Sequence, residues 1–217
     1  MKQRTKKLTT YAMICTLAYL VMVLIRIPLV PVLPFLNYDP KDVILMIGGF
    51  MYGPLSALLC TLVVALVEMV TVSDTGIIGC IMNFLSTASF VGIAALIYKK
   101  KHTKKGAIVG LICGVCVMTC VMLLWNYLIT PLYMGYPREA VAKLLLPAFL
   151  PFNLLKAGLN ASITFFLYKP VVTALRKSGF IESENVKKNN KPIGLYLIFT
   201  MIIVTCILIV LSMNGLI

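Results

Sequence analysis

Acidic residues and histidine are scarce in this chain. Among 217 residues there are seven Asp and Glu and a single histidine, His102. The scarcity excludes several chemistries. A helical zinc protease needs a His-Glu-x-x-His pair, and one histidine cannot supply it. An intramembrane aspartyl protease needs two facing acids, whereas Asp74 lies at the end of an apolar run and Glu68 stands nearly alone. No Gly-x-x-x-x-Gly-Lys-Ser/Thr loop occurs, so ATP hydrolysis by that route is out. No enzyme activity, metal or cofactor is expected. Charged residues of both signs make up 12% of the chain, about half the ~25% of a soluble domain. Loop cysteines are missing too. Cys15, Cys60, Cys80, Cys113, Cys116, Cys120 and Cys206 all fall in apolar segments, and an odd number so placed is no disulfide framework. Cys113-Gly114-Val115-Cys116 has the spacing of a metal or redox pair but no second pair. Small residues that let helices approach closely explain it better.

What the chain has instead is apolar length. It is 60% hydrophobic, with a mean hydropathy of +0.98. In lipid, only helices and closed barrels satisfy the backbone. The apolar runs are far longer than the ~10 residues of a barrel strand. The fold expected is an all-α integral membrane protein. The net charge of +13 would suit a nucleic-acid binder, but the basic residues sit between hydrophobic segments, so no nucleic acid is expected as a partner.

The basic start (Lys2, Arg4, Lys6, Lys7) leads into a first helix over residues 8–27, too long for a signal-peptide core and without a small-residue cleavage site. Ala12 and Thr16 form a small-x-x-x-small pair suited to a close helix contact, within the bundle or with a partner. Residues 28–40, with Pro28, Pro31, Pro34 and Pro40, should be a stiff extended loop, a lid or a connector. A short helix follows over 41–51. Its length of ~16 Å cannot cross ~30 Å of hydrocarbon, and such short spans often mark transporter sites. Gly53-Pro54 ends it. Further helices are expected over 55–72, 76–98, 106–129 and from Pro147 to about Tyr168, with an outer loop over 130–146. The polar stretch 178–192 reads as a linker, and 193–217 as one more lipid-facing transmembrane helix. The domain division is therefore 1–177, 178–192 and 193–217.

Charge sets the orientation. All but Arg26, Lys41, Arg138, Lys143 and Lys156 of the 20 Lys and Arg then fall on the cytoplasmic side, provided the 41–51 and 55–72 helices count as two crossings. The N-terminus is expected inside and the C-terminus outside.

The stretch from Trp125 to Asn160 concentrates the chemistry. It contains Asn126-Tyr127-Leu128-Ile129-Thr130-Pro131-Leu132-Tyr133-Met134-Gly135 and Leu146-Pro147-Ala148-Phe149-Leu150-Pro151-Phe152-Asn153-Leu154-Leu155-Lys156. Asn153, Lys156 and Asn160 are spaced three and four apart and share one helix face. Lys156 in lipid costs ~2.5–3.5 kcal/mol unless paired or snorkelling. Its partner would be Asp39, Asp42, Glu68, a carbonyl or a ligand. Asn83, Asn126, Asn153 and Asn160 are either ligand contacts or interhelical glue. Tyr127, Tyr133, Tyr136, Trp125 and Phe152 are pocket walls or an interfacial belt.

These two runs resemble the riboflavin-specific substrate-binding subunits (S components) of energy-coupling-factor (ECF) vitamin transporters. The resemblance covers about residues 8–177 and implies a six-helix S-component bundle, to which 193–217 adds a helix the family lacks. It implies riboflavin capture at the outer face of a bacterial cell membrane, and docking onto a transmembrane coupling subunit driven by two cytosolic ATPases. Ala12 and Thr16 stand where such proteins carry an Ala-x-x-x-Ala docking motif. Asn126, Asn153 and Lys156 would meet the polar edge of the flavin ring, and Tyr38 and Asp39 would lie near the entrance. Asn83, Tyr127 and Asn160 complete the candidate set. Riboflavin itself comes from the resemblance. The residues alone would equally suit thiamine or biotin.

Overall fold

The computed structural model describes residues 2–29, 36–73, 75–177 and 193–213. Residues 30–35 with Pro31 and Pro34, Asp74, the linker 178–192 and the last four residues lie outside them, and so does the tip of the expected lid. The described chain is helical almost throughout: α1 (Lys2–Leu24), α2 (Lys41–Tyr52), α3 (Pro54–Thr71), α4 (Gly76–Lys101), α5 (Lys104–Met134), α6 (Arg138–Leu144), α7 (Leu150–Lys177) and α8 (Ile193–Met213). Five of the described helices are long and apolar enough to cross a membrane. The protein is an all-α membrane bundle.

Between α1 and α2 the extended loop forms a small ribbon. Strands β1 (Ile27–Pro28) and β2 (Asn37–Tyr38) pair antiparallel, Ile27 opposite Tyr38 and Pro28 opposite Asn37. Pro28 lacks an N–H, and a two-residue edge ribbon is where a sheet tolerates it.

The short helix α2 is buried on nearly every side, from Lys41 to Phe50. It folds back on α3 through Gly53, whose φ of +91° suits glycine, with Pro54 opening α3. Lys41 at the start of α2 reaches Glu68 near the end of α3 at 2.5 Å. The two helices are therefore legs of an antiparallel hairpin, not one interrupted helix. Close packing needs small residues here: a Cβ on Gly49 would sit 3.1 Å from both Ala57 and Ala95. The tightest approach is between α4 and α5, where a Cβ on Gly114 would lie 2.7 Å from the Phe90 carbonyl oxygen and one on Gly110 2.8 Å from that of Ala94. Gly114 lies between the two cysteines of the Cys-x-x-Cys spacing, so this segment serves helix packing.

Two expectations for the 130–146 region are corrected. Residues 130–134 are not loop: α5 runs on through Pro131 to Met134 and ends at Gly135, φ +68°. Nor does the next helix begin at Pro147. It begins as α6 at Arg138 and passes into α7 through a π turn, Leu145–Phe149. Pro147 has no N–H for the regular ladder, and a widened turn, with the Leu150 N–H bonded to the Leu145 carbonyl, carries the helix past it.

Alternation of the helices places the C-terminal ends of α1, α3 and α5 with the N-terminal ends of α2, α4 and α7. The other end of the bundle carries Arg4, Lys6 and Lys7, then Lys99 to Lys101, and Lys105. Helix α8 lies against α7. Phe199 stacks on Phe165 at 4.3 Å and Cys206 is buried, while Leu197, Ile198, Met201 and Leu208 face outward.

Candidate functional site

At the end of the bundle opposite the lysine runs, α1, the ribbon, α3, α4, α5 and α7 enclose a cavity of about 260 Å³. This is close to the lower end of the ~300–1,000 Å³ usual for small-molecule pockets. Its lining divides by chemistry. Met22, Leu36, Met82, Met122 and Phe152 supply apolar surface. Asp39, Glu68, Asn83, Asn126, Asn153 and Lys156 supply polar surface. Arg26 is the exposed member of the lining, and Asn37, Ser73, Thr75, Met82 and Asn83 are half-buried.

A chain of alternating charges runs beneath and beside this space. Glu68 pairs with Lys41 at 2.5 Å, Lys41 lies 3.8 Å from Asp39, and Asp39 pairs with Lys156 at 3.0 Å. All four are buried. An unpaired charge in lipid is expensive, and buried ions persist when paired and hydrogen-bonded. Glu68 also accepts from the Asn83 amide at 2.9 Å. Asp42, a fifth buried charge, accepts from the Thr87 hydroxyl at 2.7 Å and the Asn160 amide at 3.2 Å. Lys156 is thus anchored inward on Asp39 and does not snorkel.

Two asparagines are left half-used. Thr130, one turn along α5, donates to the Asn126 oxygen at 3.0 Å. That fixes the amide orientation and leaves the Asn126 nitrogen buried without an acceptor among the described residues. Asn153 donates to the Phe149 carbonyl in the π turn at 2.7 Å, and its own oxygen is buried without a donor. One Asp39 oxygen is also without a hydrogen bond. Buried polar atoms rarely stay unmatched, and each that does needs an explanation. Among the described residues, Asn126 thus presents a donor and Asn153 an acceptor with no hydrogen-bond partner, and the free Asp39 oxygen has only the longer ion pair to Lys41 at 3.8 Å.

The structure brings Asp39, Asn83, Asn126, Asn153 and Lys156 to this cavity. It places the other candidates elsewhere. Asn160 is fully buried outside the lining, where it donates to the Asp39 carbonyl and to Asp42 and accepts from the Tyr38 hydroxyl at 3.0 Å. Tyr38 is buried with it. Tyr127 is 41% exposed, turned away from the cavity that its neighbour Asn126 lines. Tyr136 is exposed too, and Trp125 borders only a small hollow beside α4. Phe152 lines the cavity, whereas the side chain of Tyr133 lies outside the described residues. Ala12 and Thr16 are exposed on α1, while Ala18 and Met22 of that helix are buried.

Lys41, Asp42 and Glu68 were legible as costly charges but not as a network. Lys41 and Asp42 read as the start of the short helix, and Asp42 and Glu68 as candidate partners of Lys156, but nothing in the sequence signals that Lys41 turns to Glu68 and Asp42 to Thr87 and Asn160. Met22, Arg26, Ser86 and Met122 have no distinguishing pattern at all.

Comparison with known proteins agrees with this architecture. The chain matches the family "ECF transporter, substrate-specific component" over residues 6–168, a span that ends before α8. The riboflavin transporter RibU of Staphylococcus aureus is 33% identical over 81% of this chain and 95% of its own length. The riboflavin transporter FmnP of Bacillus subtilis is 28% identical over 76% and 90%. A solved S component of a bacterial ECF transporter superposes with a TM-score of 0.68 at 31% identity, covering 80% of this chain and 99% of its own.

Proposed function

Since the chain belongs to the substrate-specific components of ECF transporters, a family of membrane transport subunits rather than enzymes, we propose that it binds riboflavin in the cavity described above and delivers it to the cytoplasm. The observation that carries this reading is the pair of amide atoms at the cavity that have no hydrogen-bond partner among the described residues, the Asn126 nitrogen and the Asn153 oxygen. The pyrimidine edge of an isoalloxazine alternates acceptors and donors, and amides answer both kinds. Its dimethylbenzene end is apolar and suits Met22, Met82, Met122 and Phe152. Pockets of mixed character with a few convergent polar groups orient their ligands in this way. The names of the relatives from S. aureus and B. subtilis favour the same vitamin.

In this reading Asn126, Asn153 and Lys156 contact the flavin ring, with Asp39 and Asn83 beside it. Tyr38 and Asn160 hold Asp39 in place from behind. The ribbon covers the entrance, on the outer face. The lysine-rich end faces the cytoplasm, in keeping with the positive-inside rule, which puts the N-terminus inside and the C-terminus outside. Residues 1–177 form the binding unit, 178–192 a linker and 193–217 an added helix. A coupling subunit and two ATPases supply the energy, and the exposed Ala12 and Thr16 face of α1 is the docking surface.

The test is an absorption spectrum of the full-length protein in detergent, followed by titration with riboflavin, thiamine and biotin. A yellow protein that quenches added riboflavin fluorescence supports the proposal. A colourless protein stabilised by thiamine or biotin assigns the cavity to another vitamin, and one that responds to none removes the ligand reading.

A further inference from the structure

Helix α8 lies beyond the family match, yet it does not pack only on the lipid side of α7. Cys206 belongs to the same buried apolar cluster as Leu29, Leu36 and Tyr38 of the entrance ribbon, and Val210, one turn on, packs against that cluster. Leu155 and Leu159 of α7 complete the contact. Tyr38 in turn donates to Asn160, whose amide holds the Asp39 carbonyl at 3.4 Å and Asp42 at 3.2 Å. One apolar cluster therefore joins α8, α7 and the ribbon, and hydrogen bonds from Tyr38 through Asn160 carry on to Asp39 of the ion pair at the cavity.

The described part of the ribbon is short, and its β2 end is tied to α7 by the Tyr38–Asn160 bond and the Asp39–Lys156 pair. Ile27 and Pro28 are exposed, and two residue pairs make a marginal sheet. Beyond their pairing, Leu29 donates to the Leu36 carbonyl at a long 3.4 Å. The burial of Leu29, Leu36 and Tyr38 adds to this, in a cluster that Cys206 of α8 shares and Val210 packs against. Further along, the stack of Phe199 on Phe165 and the contact of Tyr196 with Phe165 at 5.2 Å fix α8 to α7.

We propose that α8 is a strut: through Cys206 and Val210 it clamps the entrance ribbon onto α7, and so slows the opening through which bound ligand leaves. The dependence on ligand rests on the riboflavin reading above, whereas the clamping of the ribbon does not.

The experiment uses the full chain in lipid nanodiscs, with two readouts. Hydrogen exchange without ligand reports how often the ribbon opens, from peptides spanning Ile27–Leu29 and Leu36–Tyr38. Stopped-flow fluorescence reports riboflavin release. Phe199→Ala removes the stack that seats α8, Cys206→Ser puts a hydroxyl into the buried cluster that α8 shares with the ribbon, and Met201→Ala, on the outward face, is the control. A lost aromatic contact of this kind should raise ribbon exchange and riboflavin release each by about three- to tenfold. Cys206→Ser should act in the same direction, and Met201→Ala should change neither. Ribbon exchange that stays the same in both Phe199→Ala and Cys206→Ser would overturn the strut, and faster exchange with unchanged release would overturn its control of the ligand. If the unaltered protein binds no riboflavin, the functional reading fails, and the exchange arm still decides whether α8 clamps the ribbon.

Discussion

Lys156 of α7 and Asp39 of the segment before α2 meet at 3.0 Å, although 117 residues separate them in the chain. Removing one partner of a buried pair strands the other charge, at a typical cost of ~3–5 kcal/mol. Lys156→Met should therefore lower the melting temperature markedly as well as weaken riboflavin binding. Asp39→Asn combined with Lys156→Met should recover much of the stability but not the affinity. Thermal unfolding of the four proteins of this cycle checks the first part and flavin titration the second.

The same logic applies to Lys41 and Glu68, with one difference. Glu68 also accepts from Asn83, so Glu68→Gln keeps an acceptor for the amide while removing the charge that faces Lys41. It should be less disruptive than Lys41→Met, which removes the cation paired with Glu68. Comparative melting in one detergent orders the two.

Asn126 and Asn153 are different. Each satisfies half of its amide within its own helix. Truncating either to Ala costs the fold little, and should weaken riboflavin binding about tenfold through loss of a buried ligand hydrogen bond. Equal affinity in both variants, by fluorescence quenching, would take them out of the site.

The α4–α5 contact gives a prediction independent of ligand. With the Phe90 carbonyl 2.7 Å from where a Cβ on Gly114 would stand, Gly114→Val must push the helices apart. Overpacking of this kind costs ~1–3 kcal/mol. The melting temperature should drop, while Gly158→Ala, where nothing lies within 4 Å, should leave it unchanged.

Docking separates from binding. Ala12→Trp adds bulk on the exposed face of α1, away from the cavity-lining Met22. Purified protein should bind riboflavin normally, while uptake into cells carrying the coupling subunit and ATPases should fall. Unimpaired uptake would place the docking surface elsewhere.

The helices of the bundle could be read from the chain because apolar length is a strong signal in lipid, and the short α2 because eleven or twelve residues cannot cross a bilayer. The breaks were harder. Pro131 and Pro147 looked like helix boundaries, yet α5 absorbs the first in its last turns and a π turn absorbs the second. A proline costs a helix one hydrogen bond, and packing decides whether the helix ends there or goes round. On the cavity wall, Asn153 and Lys156 stood out by their cost in lipid. Asn160, spaced to share their face, lies outside the lining because its amide is taken up by Tyr38, Asp39 and Asp42, which approach from a distant part of the sequence. Spacing along a helix tells which residues look the same way, not what has already filled the space there.

The α2–α3 hairpin also bears on how the protein enters the bilayer. Lys41 and Glu68 each oppose partition into hydrocarbon by a few kcal/mol when alone, but together they enter as a neutral pair. Helix α2 is too short to hold itself across the membrane, so it can settle only once α3 has been synthesised far enough to offer Glu68. Biogenesis of this region should then be post-poned and concerted: a nascent chain arrested before Glu68 leaves the ribosome should keep α2 open to added protease, and one arrested after Asn83 should not.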